Sequence, residues 1–217
     1  MAYKWLMLDS VPQFDANARD KPGRRMRSRL LDAAAARFRA FGFAGVSVAE
    51  IAADAGAFPS QVIYYFGTKE ALFVEAACRE MLYVARDAEA ASVEHDVGEA
   101  YVEAMVRSVV GAPGLNLFVE ALALAHRRRD LHPLVQRTFE RLDVESGRAW
   151  AEHCARRSWS AGDNPIPAHR FWVTAIGLAA RGGATGEPVE VLTAEMLALL
   201  RDRGVRREDG TIERGER

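Results

Sequence analysis

Apolar side chains recur along this chain with the period of an α-helix. Leu30, Ala34, Phe38 and Phe41 follow one another at spacings of four, four and three, which lines them along one helical face, while Arg27, Arg37 and Arg39 fall largely on other faces. Gly42 and Gly45 bracket Phe43 and end this helix. Ser47-Val48-Ala49-Glu50 then has the form of a capping box: the Ser47 hydroxyl takes the amide of Glu50, and the Glu50 carboxylate reaches back to the amide of Ser47. Val48, Ile51 and Ala52 give the second helix an apolar side, and Ala55-Gly56 breaks it just after Asp54. Phe58-Pro59 opens a third short helix that carries SQVIYYF over 60–66 and stops at Gly67. Thr68 is placed to cap a fourth helix over roughly 69–91, with Phe73, Ala77, Met81, Val84 and Ala88 on its inner stripe.

The same periodicity predicts further helices at about 96–110, 114–129, 131–157, 166–182 and 188–203. Pro113-Gly114, the run 162–165 and the stretch from Gly182-Gly183 to Pro188 supply the breaks. No convincing period-two strand and no internal repeat interrupts the pattern, so the expectation is an all-α fold of about nine helices. Residues 1–23 are expected to form a flexible extension, 24–68 a first domain, 69–204 a second helical domain and 205–217 a loose charged tail.

Composition narrows the classes. Of 217 residues 49% are apolar and 27% charged, ordinary globular values that exclude disorder throughout or a collagen-like chain. The net charge of −1 means that no global field draws the protein to nucleic acid or anionic lipid, so any basic site is local. Such a patch exists: Arg19, Lys21, Arg24, Arg25, Arg27 and Arg29 face only Asp20 within residues 19–29. Cys78 and Cys154 are too few for a disulfide framework, and no run approaches the length of a membrane span. A cytoplasmic protein without a membrane partner is expected.

Helices 47–54 and 59–66, joined by a tight Ala-Gly turn, have the layout of a helix-turn-helix, whose second helix enters the DNA major groove. The flanks sharpen this. Arg29-Leu30-Leu31-Asp32-Ala33-Ala34 with Phe38 and Gly42-Phe43 resembles the first helix of TetR-family transcriptional regulators. Val48-Ala49-Glu50-Ile51-Ala52 with Ala55-Gly56 is similar to their second helix and turn, and Val62-Ile63-Tyr64-Tyr65-Phe66 followed by Thr68-Lys69-Glu70-Ala71-Leu72 to their recognition helix and the start of the fourth. The likeness covers about residues 27–75. One departure is marked: where the family usually has a hydroxyl residue entering the recognition helix, this chain has Phe58, followed by Pro59, Ser60 and Gln61. Phe58 cannot cap a helix through its side chain, so the DNA sequence read must be this protein's own.

Candidate DNA contacts follow. Arg24, Arg25 and Arg27 supply positive charge beside the motif, where phosphate contacts dominate affinity without giving specificity. Ser47 stands at the start of the second helix. Ser60 and Gln61 sit on the first turn of the recognition helix, and Gln can pair bidentately with adenine. Tyr64 can offer its hydroxyl to phosphate, Tyr65 is divided between core and contact, Phe66 reads as core, and Lys69 can meet a phosphate together with helix N-terminal amides. In the family the positions of Tyr64 and Lys69 typically touch the backbone.

The resemblance further implies a C-terminal domain that binds a small molecule and dimerises. Tyr101, Met105, Phe118, Leu122, Trp150 and His153 are the candidate ligand-binding residues, and Phe171, Ala175, Leu178, Leu192, Met196 and Leu199 the candidate dimer interface. No HExxH, Cys/His cluster, GxSxG or phosphate loop occurs, so no metal, cofactor or enzyme chemistry is expected. The reading is an effector-responsive DNA-binding regulator, a repressor released from a palindromic operator by a small molecule. Its rival is an all-α interaction scaffold that no longer binds DNA.

Overall fold

A computed structural model describes residues 22–92, 95, 99–157 and 167–201, and among these every regular element is helical. The helices are α1 (Pro22–Phe41), α2 (Val48–Asp54), α3 (Pro59–Phe66), α4 (Lys69–Ser92), α5 (Glu99–Val110), α6 (Pro113–His126), α7 (His132–Arg157), α8 (Ala168–Thr185) and α9 (Val189–Arg201), with a 3-10 turn at Arg129–Leu131 before α7. Arg19, Lys21 and the tail 205–217 lie outside the described residues.

The local stops and starts are those the residue types require. Gly42, Gly56 and Gly67 adopt φ of 68°, 60° and 76°, a region that glycine enters without a Cβ penalty, and they end α1, the α2–α3 turn and α3. The Ser47 capping box is formed: Glu50 N–H donates to Ser47 Oγ at 3.2 Å, and Ser47 N–H donates to Glu50 Oε2 at 2.8 Å. Thr68 Oγ1 accepts the amide of Ala71 at 3.1 Å and so caps α4. One expected break falls later in its stretch than the first glycines suggest. Gly182 and Gly183 do not end α8, which continues to Thr185 and closes on Gly186 at φ 73°. Gly182 sits at a close approach: a Cβ there would lie 2.4 Å from Leu192 Cδ1 of α9, so that side chain would have to move.

The chain divides into two compact units, 1–86 with 113–138 and 87–112 with 139–217. This division cuts elsewhere than the domain boundary expected at 68/69, because most of α4 and all of α6 pack with the first three helices. In the first unit Leu30, Ala34 and Phe38 of α1 are buried with Ile51 of α2, Val62 of α3 and Leu72 and Phe73 of α4. The Phe38 and Phe73 rings meet edge to face at 4.9 Å, with Phe43 5.1 Å from Phe73. Gly114 lets α6 approach α4, since a Cβ would stand 2.9 Å from Val84 Cγ2 and 3.2 Å from the Glu80 carbonyl. Burial pushes the Cys78 thiol up to about 12, which leaves it inert at neutral pH. In the second unit α5, α8 and α9 pack on one another around Val102, Val106, Phe171, Ala175, Leu192 and Met196.

Candidate nucleic-acid interface

The reading head is built around α1, whose arginines reach the other helices of the first unit. Arg37 grips α2 from its side: Nε donates to Asp54 Oδ2 at 2.5 Å, Nη2 to Asp54 Oδ1 at 3.0 Å and Nη1 to Glu50 Oε1 at 3.3 Å. A planar guanidinium suits such a two-pronged grip on a carboxylate. The arginine lowers the Asp54 pKa, and the Ser47 hydrogen bonds lower that of Glu50, with Arg37 adding to the effect. Arg29 donates to the Ala55 carbonyl in the α2–α3 turn. Its guanidinium occupies the space that a Cβ on Gly56 would need, 2.7 Å away, which is a second reason for glycine in that turn.

Three ion pairs then tie α1 to α4. Arg27 pairs with Glu75, Asp32 with Arg79 at 2.6 Å, and Arg39 with Glu80. Arg79 is buried, and its Nη1 also reaches the Ser28 carbonyl at 3.4 Å. The Arg27 guanidinium lies 5.0 Å from the centre of the Phe66 ring, so a single side chain joins α1, the end of α3 and α4. These partners lie 13 to 51 residues away in sequence. No local pattern announces them, which is why Arg27 and Arg29 read from sequence as part of a basic patch and Arg37 only as a residue off the apolar face.

On this frame α3 turns Val62 and Phe66 inward and leaves Pro59, Ser60, Ile63 and Tyr64 exposed. Phe66 is core, as its residue type suggests. Tyr64 is 81% exposed, whereas Tyr65 is half-buried with its hydroxyl close to Gly23 of α1, where a Cβ would lie 3.3 Å from it. Gln61 is partly committed: its Oε1 accepts the Phe58 amide at 2.9 Å and closes the first turn of α3 in place of a capping hydroxyl. A glutamine three residues after the cap is the sequence signal for that role. The Ser47 hydroxyl is likewise engaged, donating to Glu50 Oε2 at 2.7 Å. Lys69 Nζ rests 4.3 Å from the centre of the Phe43 ring, half-buried at the first residue of α4. Arg24 is half-buried and Arg25 exposed in the first turns of α1, which hold no acidic residue.

The expected ligand residues fall into two groups. Tyr101 of α5 and Trp150 and His153 of α7 come together in the second unit: the Tyr101 ring is 4.8 Å from His153 and 6.1 Å from Trp150, and Trp150 and His153 stack at 6.0 Å and 21°. Met105, one turn beyond Tyr101, is half-buried. Phe118 and Leu122 belong to α6 in the first unit, where Phe118 is fully enclosed as a core residue. A hollow of about 260 Å³ in the first unit is lined by Phe43, Phe73, Glu120, Ala123, Leu124 and Arg127, none of them in the expected set.

The expected dimer residues need correction. Phe171, Ala175, Leu178, Leu192 and Met196 are buried within a single chain, with Ala175 and Met196 fully enclosed. Side chains already surrounded by their own unit have no surface left for a partner; the apolar stripe that looked like an interface is the α5–α8–α9 core. Of that set only Leu199 faces outward, 48% exposed. The solvent-reaching sides of α8 and α9 include small and apolar residues, Val173, Gly177 and Ala180 on α8 and Val191, Ala194 and Ala198 on α9, beside the charged Arg181, Glu190 and Glu195.

Among the described residues no single helix is long and apolar enough to cross a membrane, and no three His, Cys, Asp or Glu side chains are grouped to hold a metal ion.

A short helix braced by two others and presenting its outer face and N-terminal turn is the architecture of a helix-turn-helix DNA-binding protein. Residues 30–76 match the bacterial regulatory proteins of the tetR family, and residues 98–201 match a bacterial transcriptional repressor C-terminal domain. The crystal structure of a protein described as a transcriptional regulator from Rhodococcus sp. RHA1 is 33% identical, with a TM-score of 0.68 over 81% of this chain and 95% of that one. A TetR-family regulator from Mesorhizobium loti MAFF303099 shares the fold at 21% identity and TM-score 0.59, over 86% of this chain and 100% of that one. The multidrug binding protein EbrR complexed with ethidium does so at 24% identity and TM-score 0.55, over 81% and 97%. No curated protein matches the chain. The chain belongs to the TetR family of bacterial transcriptional regulators.

Proposed function

We propose that this chain is a homodimeric repressor that holds a near-palindromic operator through two helix-turn-helix units and leaves it when a small molecule binds its C-terminal domain. The observation that carries the DNA-binding part is the charge at the start of α1. Arg24 and Arg25 occupy the first turn of that helix, which holds no acidic residue, whereas Arg27, further along, is taken up by Glu75 and the Phe66 ring. Cations at a helix N-terminus oppose the macrodipole, at a cost of some tenths of a kcal/mol each. Charge kept there against local stability fits a phosphate-facing edge, with Tyr64 and Lys69 as further backbone contacts and Ser60 and Gln61 at the bases.

Support for the other parts is of a different kind. The solvent-facing sides of α8 and α9 carry small apolar residues that allow close helix approach, as a two-helix contribution to an intersubunit four-helix bundle requires. The Tyr101–Trp150–His153 cluster supplies aromatic faces for an effector, and a protein of the same fold, EbrR, is a multidrug binding protein that takes ethidium. The effector acts only through unequal affinity for the DNA-competent and DNA-released states.

The test is fluorescence anisotropy of the full-length protein with duplexes selected from a random pool, over a series of salt concentrations. The expected result is an enriched palindromic duplex whose log affinity falls steeply with log salt. No enrichment, or affinity indifferent to salt, overturns the reading and favours the interaction scaffold.

A further inference from the structure

Three large apolar side chains of the recognition segment face water: Phe58 is 74% exposed, Ile63 52% and Tyr64 81%. Scattered exposed hydrophobes are ordinary on a protein surface. These three fall within seven consecutive residues, on the one helix whose outer face is presented for reading.

Phe58 stands out among them. It occupies the N-cap of α3, with φ −95° and ψ 149°, where Ser, Thr, Asp or Asn would stabilise the helix and a phenyl ring makes no cap hydrogen bond. Gln61 closes the turn instead, through the 2.9 Å bond from the Phe58 amide to its Oε1. That bond uses one of the two lone pairs of the oxygen that Gln61 would turn to an adenine amino group in a bidentate pair, and it holds the side chain back along its own helix. Beside Ser60 and the partly engaged Gln61, the reading edge is thus rich in apolar surface, at the end of the helix that reaches base edges. The one apolar mark in the major groove is the C5-methyl group of thymine.

Resting on the DNA-binding reading above, we infer that Phe58 is a specificity-determining residue that recognises a thymine by packing its ring on the C5-methyl group. Thymine and uracil differ in this methyl alone and pair identically, so replacing one by the other isolates the contact. Burying one methyl changes affinity about fourfold. With one contact per half-site, the two together change it roughly fifteenfold.

The experiment uses the full-length protein and the duplex it enriches from a random pool, with each thymine replaced symmetrically by deoxyuridine. One thymine per half-site is expected to show the roughly fifteenfold loss. Phe58→Ala should bind the thymine and uracil duplexes alike, and Phe58→Leu should keep part of the difference. Phe58→Ser adds a readout that a structural role would not give: it restores a capping hydroxyl, so it should melt no lower than the wild type while losing thymine discrimination. An enriched duplex whose affinity is indifferent to every uracil replacement overturns the role of Phe58 and leaves DNA binding standing. So does a Phe58→Ala loss that is equal for thymine and uracil, which would place the ring against sugar and backbone. A pool from which no duplex is enriched removes the DNA-binding reading itself, and the inference with it.

Discussion

The amide of Phe58 donates to Gln61 Oε1 at 2.9 Å, so the residue best suited to read a base also holds the first turn of its own helix. The two roles separate in Gln61→Glu. A carboxylate accepts the same amide, and its charge is favourable at a helix N-terminus, by about 0.3–1 kcal/mol. The same charge faces the DNA and repels phosphates. The variant is expected to melt at or above the wild-type temperature and to bind every duplex more weakly, as followed by circular dichroism and anisotropy on one preparation. A lower melting temperature would show that Gln61 holds the turn in some way a carboxylate cannot replace.

The Arg37 grip on Asp54 and Glu50 makes the α1–α2 joint sensitive to acid. Both carboxylates have folded-state pKa values below their ordinary ones: Asp54 because it accepts from Arg37, Glu50 because it accepts from Ser47 and lies near Arg37. A depressed pKa contributes stability that is present above the unfolded value and lost as pH falls through the folded one. Arg37→Met should therefore lower the melting temperature at neutral pH. The difference from wild type should shrink as pH drops below the ordinary carboxylate values near about 4. A difference that persists in strong acid would mean that Arg37 acts through the cation–π contact of its guanidinium with Phe41, whose ring centre lies 5.8 Å away.

Lys69 and Arg27 are both basic and both close to the reading head, and their variants should behave differently. Lys69→Ala should weaken all duplexes similarly and flatten the slope of log affinity against log salt by roughly one unit per half-site. Arg27 is engaged by Glu75 and Phe66. Arg27→Ala should therefore destabilise the fold by about 1–2 kcal/mol while leaving the salt slope near its wild-type value. Urea unfolding and salt-dependent anisotropy measure the two quantities separately. A reduced slope for Arg27→Ala would show that the guanidinium leaves Glu75 for a phosphate in the complex.

Ala175 and Val173, two residues apart on α8, face opposite ways: Ala175 is fully enclosed and Val173 is 62% exposed. Ala175→Glu puts an unpaired carboxylate into the α5–α8–α9 core, costs several kcal/mol, and should unfold the second unit rather than merely separate subunits. Val173→Glu leaves that core intact. It should give a folded monomer by light scattering, with unchanged helical circular dichroism and weaker operator binding, because the two half-sites are no longer linked. A dimeric Val173→Glu variant would move the interface away from this face of α8.

Local chemistry made much of this fold legible. The Ser47 box, the Thr68 cap, Pro59 in the first turn of α3 and the glycines at 42, 56 and 67 act over at most a few residues, so the sequence alone determines where α1 ends, where α2 and α3 begin and end, and where α4 begins; the start of α1 at Pro22, inside the expected extension, has no such signal. Helical periodicity likewise picks out the buried Leu30, Ala34 and Phe38, but Phe41, placed on the same stripe, lies at the end of α1 beyond the core and is 61% exposed. What a periodic apolar stripe cannot say is which surface covers it. The stripe of Phe171, Ala175 and Leu178 would look the same against a second copy as against α5 and α9 of its own chain, and only the packing assigned it to the subunit core. Gly182 marks a tight helix crossing rather than a helix end for the same reason: the deciding atom, Leu192 Cδ1, is ten residues away. The arginines of α1 are the clearest case. A guanidinium on a long, flexible stem can meet solvent, phosphate or a distant carboxylate at similar local cost, so the tertiary structure alone decided that Arg27, Arg29 and Arg37 brace the reading head.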